Sequence, residues 1–483
     1  MPILRFAPAP SGAMHPGNCR SALVNYVVAK ILNGELCLRI DDTNAPLVRE
    51  DFIKNIYCDM NWLGIFCNRI LQQSERQEYY KSVFKLLLEA NFIYSSTSLT
   101  ESNRVRRAEA ETQNTQSCCW RFEIQKDIVI WNDLIRGKEK HEPISMTSDP
   151  IVFRSDGSIT YLLASVIDDI VMGITHIVRG RDHISNTAIQ IQMMHAILCA
   201  LKNNGPLKMK DLTLSYESVQ CVIDKLQFAH LPLLSNEDGS KFSKRAKSLS
   251  IDSLRNAGVI AMSINNYLLS LGSSEMLDFD NMSELIEHIR QKGLENFFQS
   301  LGNSDVRFSL DNLWVINQKL ISRMSFKKLI QSNLKYDLSW LNEDMWECIR
   351  SDMTSLEFLN KWREIFFDEI DLYENIVSNQ NEYDLIDFFA TKDEYRDTLN
   401  TVDSNFFEIA KKNLPISFDS DNWSIWTNAI SNETELKGKG LFMPLRLAIT
   451  GMKHGPKMAD IFRFFDKTVV LHRLNSAIKY LNS

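Results

Sequence analysis

Residues 3–18 constrain the fold most, because this short stretch combines a strand, a turn and a helix start. Residues 3–7 are apolar and compatible with a β-strand, and several prolines and a glycine then redirect the chain. Pro16 suits the first turn of a helix, where unpaired N–H groups can bind an anion. The segment therefore predicts a strand, a turn and a helix that together bind phosphate.

Residues 17–60 alternate between helical and extended patterns. Apolar residues recur at helical spacing over residues 17–33, and Asn33-Gly34 is a good stop signal. A strand is expected over residues 36–40, followed by an amphipathic helix around residues 52–60. This order is typical of a parallel sheet in a nucleotide-binding α/β domain.

A second segment, more than 200 residues away, complements the first. Residues 241–245 read Lys-Phe-Ser-Lys-Arg and follow Asp238-Gly239. The ammonium groups of Lys241 and Lys244 supply point charges for a polyphosphate, and Gly239 provides backbone freedom for a closing loop. Either segment alone could be an ordinary surface loop, but together they predict a cradle for a nucleoside triphosphate.

These segments resemble the two signatures of class I aminoacyl-tRNA synthetases, and their flanking residues are similar to the glutamyl branch of that family. His15-Pro16-Gly17-Asn18 stands for the family's His-x-Gly-His motif, and residues 241–245 stand for its Lys-Met-Ser-Lys-Arg loop. Further matches keep the family order along the chain; they are residues 38–44, 166–169, 173–176, 179–187 and 437–446.

The resemblance implies an enzyme that uses ATP with Mg²⁺ to activate L-glutamate as glutamyl-adenylate. The glutamyl group would then pass to the 3′-terminal adenosine of tRNA(Glu), and tRNA(Gln) is left open as a second acceptor. The lack of a bilayer-spanning apolar run and of a signal-peptide pattern at the N-terminus predicts a cytosolic protein, and we expect a monomer.

The implied fold is α/β, with a Rossmann-type parallel-sheet catalytic domain interrupted by an acceptor-end domain and followed by helical domains. We expect the domains at 1–92 (catalytic, first half), 93–157 (inserted acceptor-binding), 158–250 (catalytic, second half), 251–315 (stem-contact) and 316–483 (anticodon-binding). Residues 120–131 and 159–161 are expected to be strands. Helical periods dominate from residue 255, and the large aromatic residues there are expected to pack in a core.

For ATP, the resemblance assigns catalytic roles to His15, Asn18, Lys241 and Lys244. His15 would donate a hydrogen bond to a phosphate oxygen, Asn18 would donate from its amide, and Gly17 would let the nucleotide approach the backbone. Lys241 and Lys244 would neutralise phosphate charge as the transition state forms.

For glutamate, the family's candidates surround one carboxylate and one ammonium group. Arg5 and Arg179 are the cations for the side-chain carboxylate, because a guanidinium pairs with it in two-pronged fashion. Asp41 would accept from the α-ammonium, and Tyr161 could add a hydroxyl hydrogen bond. The remaining pocket positions are Ala7, Ala9 and Ser165.

Several of these positions depart from the family pattern. Ala9 replaces a serine, Asp41 is one methylene shorter than glutamate, and Ser165 stands where some members have asparagine. Arg181 reverses the charge of the usual glutamate and is expected to face solvent, and Asn44 replaces aspartate. These changes leave open a catalytically weakened tRNA-binding paralogue. A glutaminyl-tRNA synthetase is the other alternative, which the helical C-terminal part disfavours.

The net charge of −7 argues against indiscriminate nucleic-acid binding, although RNA needs only local basic surface. One candidate patch contains Arg104, Arg106 and Arg107, for which a solvated helix face is the alternative.

Zinc and membrane insertion are not expected. The nine cysteines show no disulfide framework. Some glutamyl enzymes hold zinc near residues 94–98, which here read Tyr-Ser-Ser-Thr-Ser, and serine is a poor zinc ligand. No apolar run reaches the roughly 20 residues that span a bilayer.

Overall fold

The computed structural model describes residues 1–43, 48–96, 119–240, 249–332, 336–368, 390–419 and 421–482. The chain divides into two compact units. The first unit contains Met1–Leu254 and Ala261–Leu310, and the second contains Arg255–Ile260 and Asp311–Ser483.

The strands of the first unit form one large sheet and three small ones. In chain order they are β1 (Ile3–Phe6), β2 (Glu35–Ile40), β3 (Arg69–Gln72), β4 (Ile93–Ser96), β5 (Cys119–Phe122), β6 (Val129–Asp133), β7 (Gly137–His141), β8 (Ile151–Phe153), β9 (His176–Gly180), β10 (Leu207–Lys208), β11 (Thr213–Leu214), β12 (Gln227–Leu231), β13 (Leu234–Ser235) and β14 (Val306–Arg307).

The helices connect these strands and make up the second unit. In chain order they are α1 (Pro16–Ile31), α2 (Glu50–Trp62), α3 (Gln77–Glu89), α4 (Pro143–Met146), α5 (Tyr161–Val171), α6 (Ile184–Asn204), α7 (Tyr216–Lys225), α8 (Ile251–Asn256), α9 (Ala261–Ser270), α10 (Met282–Lys292), α11 (Leu294–Ser300), α12 (Leu310–Ser322), α13 (Phe326–Gln331), α14 (Glu343–Ile349), α15 (Phe358–Phe367), α16 (Lys392–Leu399), α17 (Ser404–Lys412), α18 (Asn422–Thr434), α19 (Lys439–Thr450), α20 (Met458–Ile461) and α21 (Lys467–Asn482).

The large sheet has the strand order β3-β2-β1-β9-β12-β6-β7. All neighbouring strands run parallel except the edge pair β6 and β7. The carboxyl ends of β1, β2, β9 and β12 therefore lie along one edge, where ligands bind in open α/β sheets.

The first crossover confirms the Rossmann-type fold expected from the sequence. β1 and β2 pair in parallel from Ile3 opposite Glu35 to Phe6 opposite Leu38, and α1 connects them. The helix ends at Ile31, and the turn after it places Asn33 at φ 50°. A Cβ at Gly34 would lie 2.4 Å from the carbonyl oxygen of Pro2, so the close return to β2 requires glycine here.

Part of the stretch expected as an inserted domain belongs to the large sheet instead. β6 pairs with β12 and β7, and its burial alternates between buried Val129, Trp131 and Asp133 and exposed neighbours. Among the described residues of this stretch, β4, β5 and β8 form a separate antiparallel sheet. The single strand expected over residues 120–131 is therefore wrong, because the chain changes sheets within it.

The strand expected over residues 159–161 is also wrong. Ile159 makes one isolated bridge to Phe153, and Tyr161 is already the first residue of α5. Apolar residues at helical spacing, including Leu163 and Ile167, continue into buried positions. The helical period therefore begins where a strand was expected.

One helix within the described ranges is long and apolar enough to cross a membrane, which the run-length argument did not anticipate. It spans Arg181–Asn204, and 67% of its apolar window is buried. It packs against α3, α5 and α7 of the first unit, as expected of a core helix.

The second unit is helical, and its aromatic residues form a core as expected. Trp346, Leu359 and Trp362 have no exposed surface. Gly258 has φ +79°, and a Cβ there would lie 2.3 Å from the backbone nitrogen of Glu357. Only glycine allows the two backbone segments to approach this closely.

Candidate active site

A cavity of about 610 Å³ lies at the carboxyl edge of the large sheet. It brings together most of the site residues predicted from the sequence, although they are spread over 175 positions. Those that line it are Arg5, Ala7, Ala9, His15, Gly17, Asn18, Asp41, Tyr161 and Arg179.

The helix start of the first motif forms one side of the cavity. His15 is the N-cap of α1, and its Nδ1 accepts a hydrogen bond from the backbone N–H of Gly17 at 3.2 Å. A Cβ on Gly17 would lie 3.0 Å from the imidazole, so glycine lets the ring fold over the helix end. Pro16 has no N–H group, and the N–H of Cys19 donates to the carbonyl of His15 at 3.1 Å, so Asn18 carries the first-turn N–H that an anion could use.

Lys241 and Lys244 lie outside the described residues, as do Asn44, Arg104, Arg106 and Arg107. The turn that leads into the lysine segment is described: the backbone N–H of Asn236 donates to the carbonyl of Ser240 at 2.9 Å. Gly239 adopts φ +81° in this turn, as its expected freedom requires. β13, immediately before the turn, pairs with β14.

Two buried guanidinium groups also line the cavity. Arg5 is 3% exposed and lies 3.3 Å from Asp169, and Arg179 is 7% exposed. Burial lowers the pKa of Arg5; Asp169 opposes this effect and Arg179 adds to it. Two cations that face one cavity favour an anionic ligand.

Arg179 is held by neutral groups. Its Nη2 donates to Thr187 Oγ1 at 2.6 Å and to Gln190 Oε1 at 2.7 Å, and its Nη1 lies 3.3 Å from the hydroxyl of Tyr161. Its Nε is buried and has no hydrogen-bond partner in the described part of the chain. A carboxylate in the cavity would supply the missing counter-charge.

Asp41 lines the cavity but is already paired. Arg39 donates from Nε to Asp41 Oδ1 at 2.7 Å and from Nη2 to Oδ2 at 3.2 Å. Burial raises the pKa of Asp41 to about 6, even though Arg39 lowers it. The carboxylate retains further lone pairs and can accept an ammonium group beside this pair.

Behind Asp41 lies an ion network that sequence reasoning missed. Arg39 also donates to Asp169 at 2.7 Å, and Arg76 donates to Asp168 at 2.6 Å. Asp168 and Asp169 do not form a solvated turn, because both residues are buried near the end of α5. The apolar spacing of this helix was the signal that could have placed them inside.

Ser165 does not line the cavity. It is buried one layer behind, where its Oγ accepts from Gln190 Nε2 at 2.6 Å and donates to the carbonyl of Leu162. Because Gln190 also contacts Arg179, the structure connects Ser165 to the cavity through a glutamine that sequence reasoning did not single out.

His183 also lines the cavity. It lies within the family match at residues 179–187, but it was not among the predicted site residues. Its ring lies 5.6 Å from that of Tyr161. Burial and the nearby Arg179 lower the pKa of His183 to about 4, so the imidazole is neutral at pH 7. The cavity therefore keeps its positive charge on the guanidinium groups.

Arg181 does not simply face solvent, contrary to expectation. Its Nη2 donates to Asp305 at 2.6 Å, and its side chain is 32% exposed. The other oxygen of Asp305 accepts from the backbone N–H of Leu233 at 2.9 Å. The positive charge of Arg181 therefore connects the residues beside the cavity to the loop before β14.

The comparison with family models matches both ends of the chain. The description "tRNA synthetases class I (E and Q), catalytic domain" covers residues 3–116 and 94–205. "Anticodon binding domain" covers residues 363–478, within the second unit.

Relatives match the chain over nearly its whole length. Glutamate-tRNA ligase 1 of Rickettsia akari is 31% identical over 98% of this chain and 99% of its own. Glutamate-tRNA ligase 2 of Sphingopyxis alaskensis is 33% identical over 98% of each chain. The crystal structure of the glutamate-tRNA synthetase of Elizabethkingia anophelis has a TM-score of 0.70 at 20% identity and covers 99% of both chains, which supports the fold.

Proposed function

The chain belongs to the glutamate-tRNA ligase family of class I aminoacyl-tRNA synthetases, which use ATP as a substrate, and from this premise we propose how its cavity works. The protein activates L-glutamate as glutamyl-adenylate and transfers the glutamyl group to the 3′-terminal adenosine of tRNA(Glu). The observation that carries the proposal is the buried, uncompensated guanidinium of Arg179, which faces the cavity beside Arg5.

Recognition of glutamate rests on charge complementarity within the cavity. The side-chain carboxylate pairs with Arg179 and Arg5. Of these two arginines, Arg5 has an ion pair with Asp169 in the described structure. The α-ammonium binds Asp41, and Tyr161 adds its hydroxyl. Ala7 and Ala9 contribute backbone and space rather than polar side chains, and Ser165 supports Gln190 from behind.

ATP binds at the start of α1, with its phosphates against the backbone N–H of Asn18 and the side chains of His15 and Asn18. Gly17 leaves room for this approach. Lys241 and Lys244 neutralise the charge that develops on the phosphates when the α-carboxylate of glutamate attacks the α-phosphate. The carboxylate is ionised at neutral pH, so the protein acts by positioning and charge stabilisation.

Mg²⁺ would reduce the negative charge of the triphosphate during this step. The described residues contain no group of three His, Cys, Asp or Glu side chains that could hold a metal ion. We propose that Mg²⁺ arrives bound to ATP. Because serine is a poor zinc ligand, we also propose that Ser95 and Ser96 on β4 hold no structural zinc.

The helical second unit reads the anticodon, which agrees with the position of its family match. We propose stem contacts for residues 251–315 and anticodon binding for residues 316–483, and for the acceptor end we propose the part of residues 93–157 that lies outside the large sheet. The proposal also includes a monomeric, cytoplasmic enzyme. The proposal leaves open whether tRNA(Gln) is also charged, because that choice depends on the anticodon-reading residues.

The direct test is aminoacylation of separate tRNA(Glu) and tRNA(Gln) transcripts with radiolabelled glutamate or glutamine. We expect glutamate to be esterified to tRNA(Glu). Tight tRNA binding without any esterification would contradict the proposal and favour the non-catalytic paralogue, and charging with glutamine would favour a glutaminyl enzyme.

The lysine segment provides a second test. Lys244→Ala should lower tRNA-dependent ATP–pyrophosphate exchange by about 100-fold, because one charge on the reacting phosphates is lost. Its affinity for tRNA should stay within about twofold of the wild type. Lys247→Ala is the matched control, since it removes a charge three residues away but outside the motif. Equal exchange rates for the two variants would refute the role of Lys244.

A further inference from the structure

A chain of buried polar groups runs from Arg179 away from the cavity. Arg179 Nη2 donates to Thr187 Oγ1 at 2.6 Å, and Thr187 Oγ1 lies 2.8 Å from His230 Nε2. His230 Nδ1 in turn lies 2.6 Å from Asp133 Oδ2. The side chains of His230 and Asp133 are completely buried, and neither residue lines the cavity.

Asp133 is the fixed anion at the far end of this chain. Its Oδ1 accepts backbone N–H groups of Ile135, Arg136 and His230 at 3.1 to 3.2 Å. Burial alone would raise the pKa of Asp133, but the hydrogen bonds from His230 and from the backbone bring it below its usual value. An ionised carboxylate can only accept, so His230 must donate to it from Nδ1.

That donation sets the state of the other ring nitrogen. Burial lowers the pKa of His230, with Asp133 opposing the effect and Arg179 adding to it, so the ring is neutral at pH 7. A neutral ring with its proton on Nδ1 has a lone pair on Nε2. Nε2 therefore accepts the hydroxyl proton of Thr187 at 2.8 Å, and the carbonyl oxygen of His183, at 3.1 Å, is the more distant of the two acceptors of that hydroxyl.

Thr187 is left with lone pairs for Arg179. Its hydroxyl has a single proton, and donation to His230 turns the oxygen's acceptor side toward the guanidinium. The same Nη2 donates a second hydrogen bond to Gln190 Oε1, at an N···O distance of 2.7 Å. Nη2 is thereby fixed from behind, whereas Nε keeps no protein partner among the described residues.

We propose that Asp133, His230 and Thr187 form a relay of positioning residues that orients the Arg179 guanidinium for the substrate carboxylate. The relay rests on the proposed function, since it prepares the cavity for glutamate. The relay contacts the guanidinium through a neutral oxygen, so it fixes the orientation of the group without neutralising its positive charge. A carboxylate in direct contact with Arg179 would compete with the substrate.

The test compares Thr187→Val with Thr187→Ser in steady-state aminoacylation of tRNA(Glu). Valine has nearly the shape of threonine but offers no acceptor, whereas serine keeps the hydroxyl. We expect Thr187→Val to raise the KM for glutamate about tenfold, as the loss of a hydrogen bond to a charged group predicts. The KM for ATP should stay within about twofold, and Thr187→Ser should stay close to the wild type.

His230→Asn tests the middle of the relay and serves if Thr187→Val does not fold. The asparagine amide can still donate to Asp133 but cannot reach Thr187 as Nε2 does. We expect a rise of about threefold to fivefold in the KM for glutamate, again without a matching rise for ATP. The effect is smaller because Thr187 itself remains.

The outcomes separate the relay from the proposed function. A wild-type protein that charges no tRNA with glutamate overturns the proposed function and the relay together. A wild-type protein that charges normally, with unchanged glutamate KM in Thr187→Val and His230→Asn, overturns the relay alone. Equal rises in the KM for glutamate and ATP would also overturn it, since they would indicate general distortion of the cavity.

Discussion

Arg39 and Arg179 are both buried guanidinium groups of the first unit, but their surroundings differ. Arg39 donates to Asp41 and Asp169 at 2.7 Å and lies 3.9 Å from Asp168. Arg179 has only neutral hydrogen-bond partners in the described structure. Charge that is neutralised by the protein belongs to the scaffold, whereas charge that is oriented but not neutralised is available to a ligand.

The comparison predicts that Arg39 is needed for stability. Arg39→Gln would leave the carboxylates of Asp41 and Asp169 short of a buried partner. We expect the free energy of unfolding of the first unit to fall by about 3–5 kcal/mol, measured by urea denaturation. The matched control is Arg49→Gln, which breaks an exposed pair with Asp51 in the same unit and should cost less than about 1 kcal/mol.

If Arg39→Gln were as stable as the control, the network would not hold the cavity floor, and the contrast between the two arginines would be lost. A loss of glutamate affinity at unchanged stability would instead move Arg39 into the group of ligand-binding residues.

Arg179→Gln should show the opposite pattern. We expect the KM for glutamate to rise by roughly 10- to 100-fold, since a charged hydrogen bond to the substrate carboxylate is lost. The urea midpoint should change little, because no buried carboxylate loses its partner. Aminoacylation kinetics and denaturation on the same preparation measure both quantities.

Arg179→Lys sharpens this prediction, because lysine keeps the charge but lacks the planar fork. A partial recovery of glutamate affinity is expected relative to Arg179→Gln. Wild-type affinity in Arg179→Gln would contradict the assignment of Arg179 as the carboxylate partner.

Asp41 lies between the two groups, since it is paired with Arg39 and also faces the cavity. Burial raises the pKa of Asp41 to about 6, so lowering the pH from 7 to 5 protonates it and removes an acceptor for the ammonium. We expect the KM for glutamate to rise about fivefold over this range. His183, whose pKa is about 4, stays neutral and does not contribute.

The control for this pH dependence is Asp41→Asn, which should have a raised KM at pH 7 that changes little down to pH 5. A wild-type KM that is flat from pH 7 to pH 5 would contradict the role of Asp41 in ammonium binding.

Local motifs allowed the sequence to predict a large part of the cavity. Pro16 and Gly17 determine the start of α1 by backbone geometry alone, and β1 and β2 on either side have clear apolar patterns. Arg5 and His15 therefore could be placed at one site before the fold was known. Their proximity follows from the parallel crossover and needs no distant contact.

The parts that the sequence did not predict depend on pairing between distant segments. β6 joins the large sheet because Phe228 of β12 lies opposite Asp133, 95 positions earlier. The sequence did not locate Asp168 and Asp169 in a buried network, because their partners, Arg39 and Arg76, come from other elements. A buried charge cannot be distinguished from a surface charge until its counter-charge is located.

The N-cap of α1 also determines which atom of His15 can act. Because Nδ1 receives the Gly17 N–H at 3.2 Å, the only proton of the imidazole must sit on Nε2. One ring thus caps a helix with one nitrogen and carries its donor proton on the other. Aspartate at this position could imitate the first role but not the second, because a carboxylate only accepts, so helix capping and hydrogen-bond donation are separable within a single side chain.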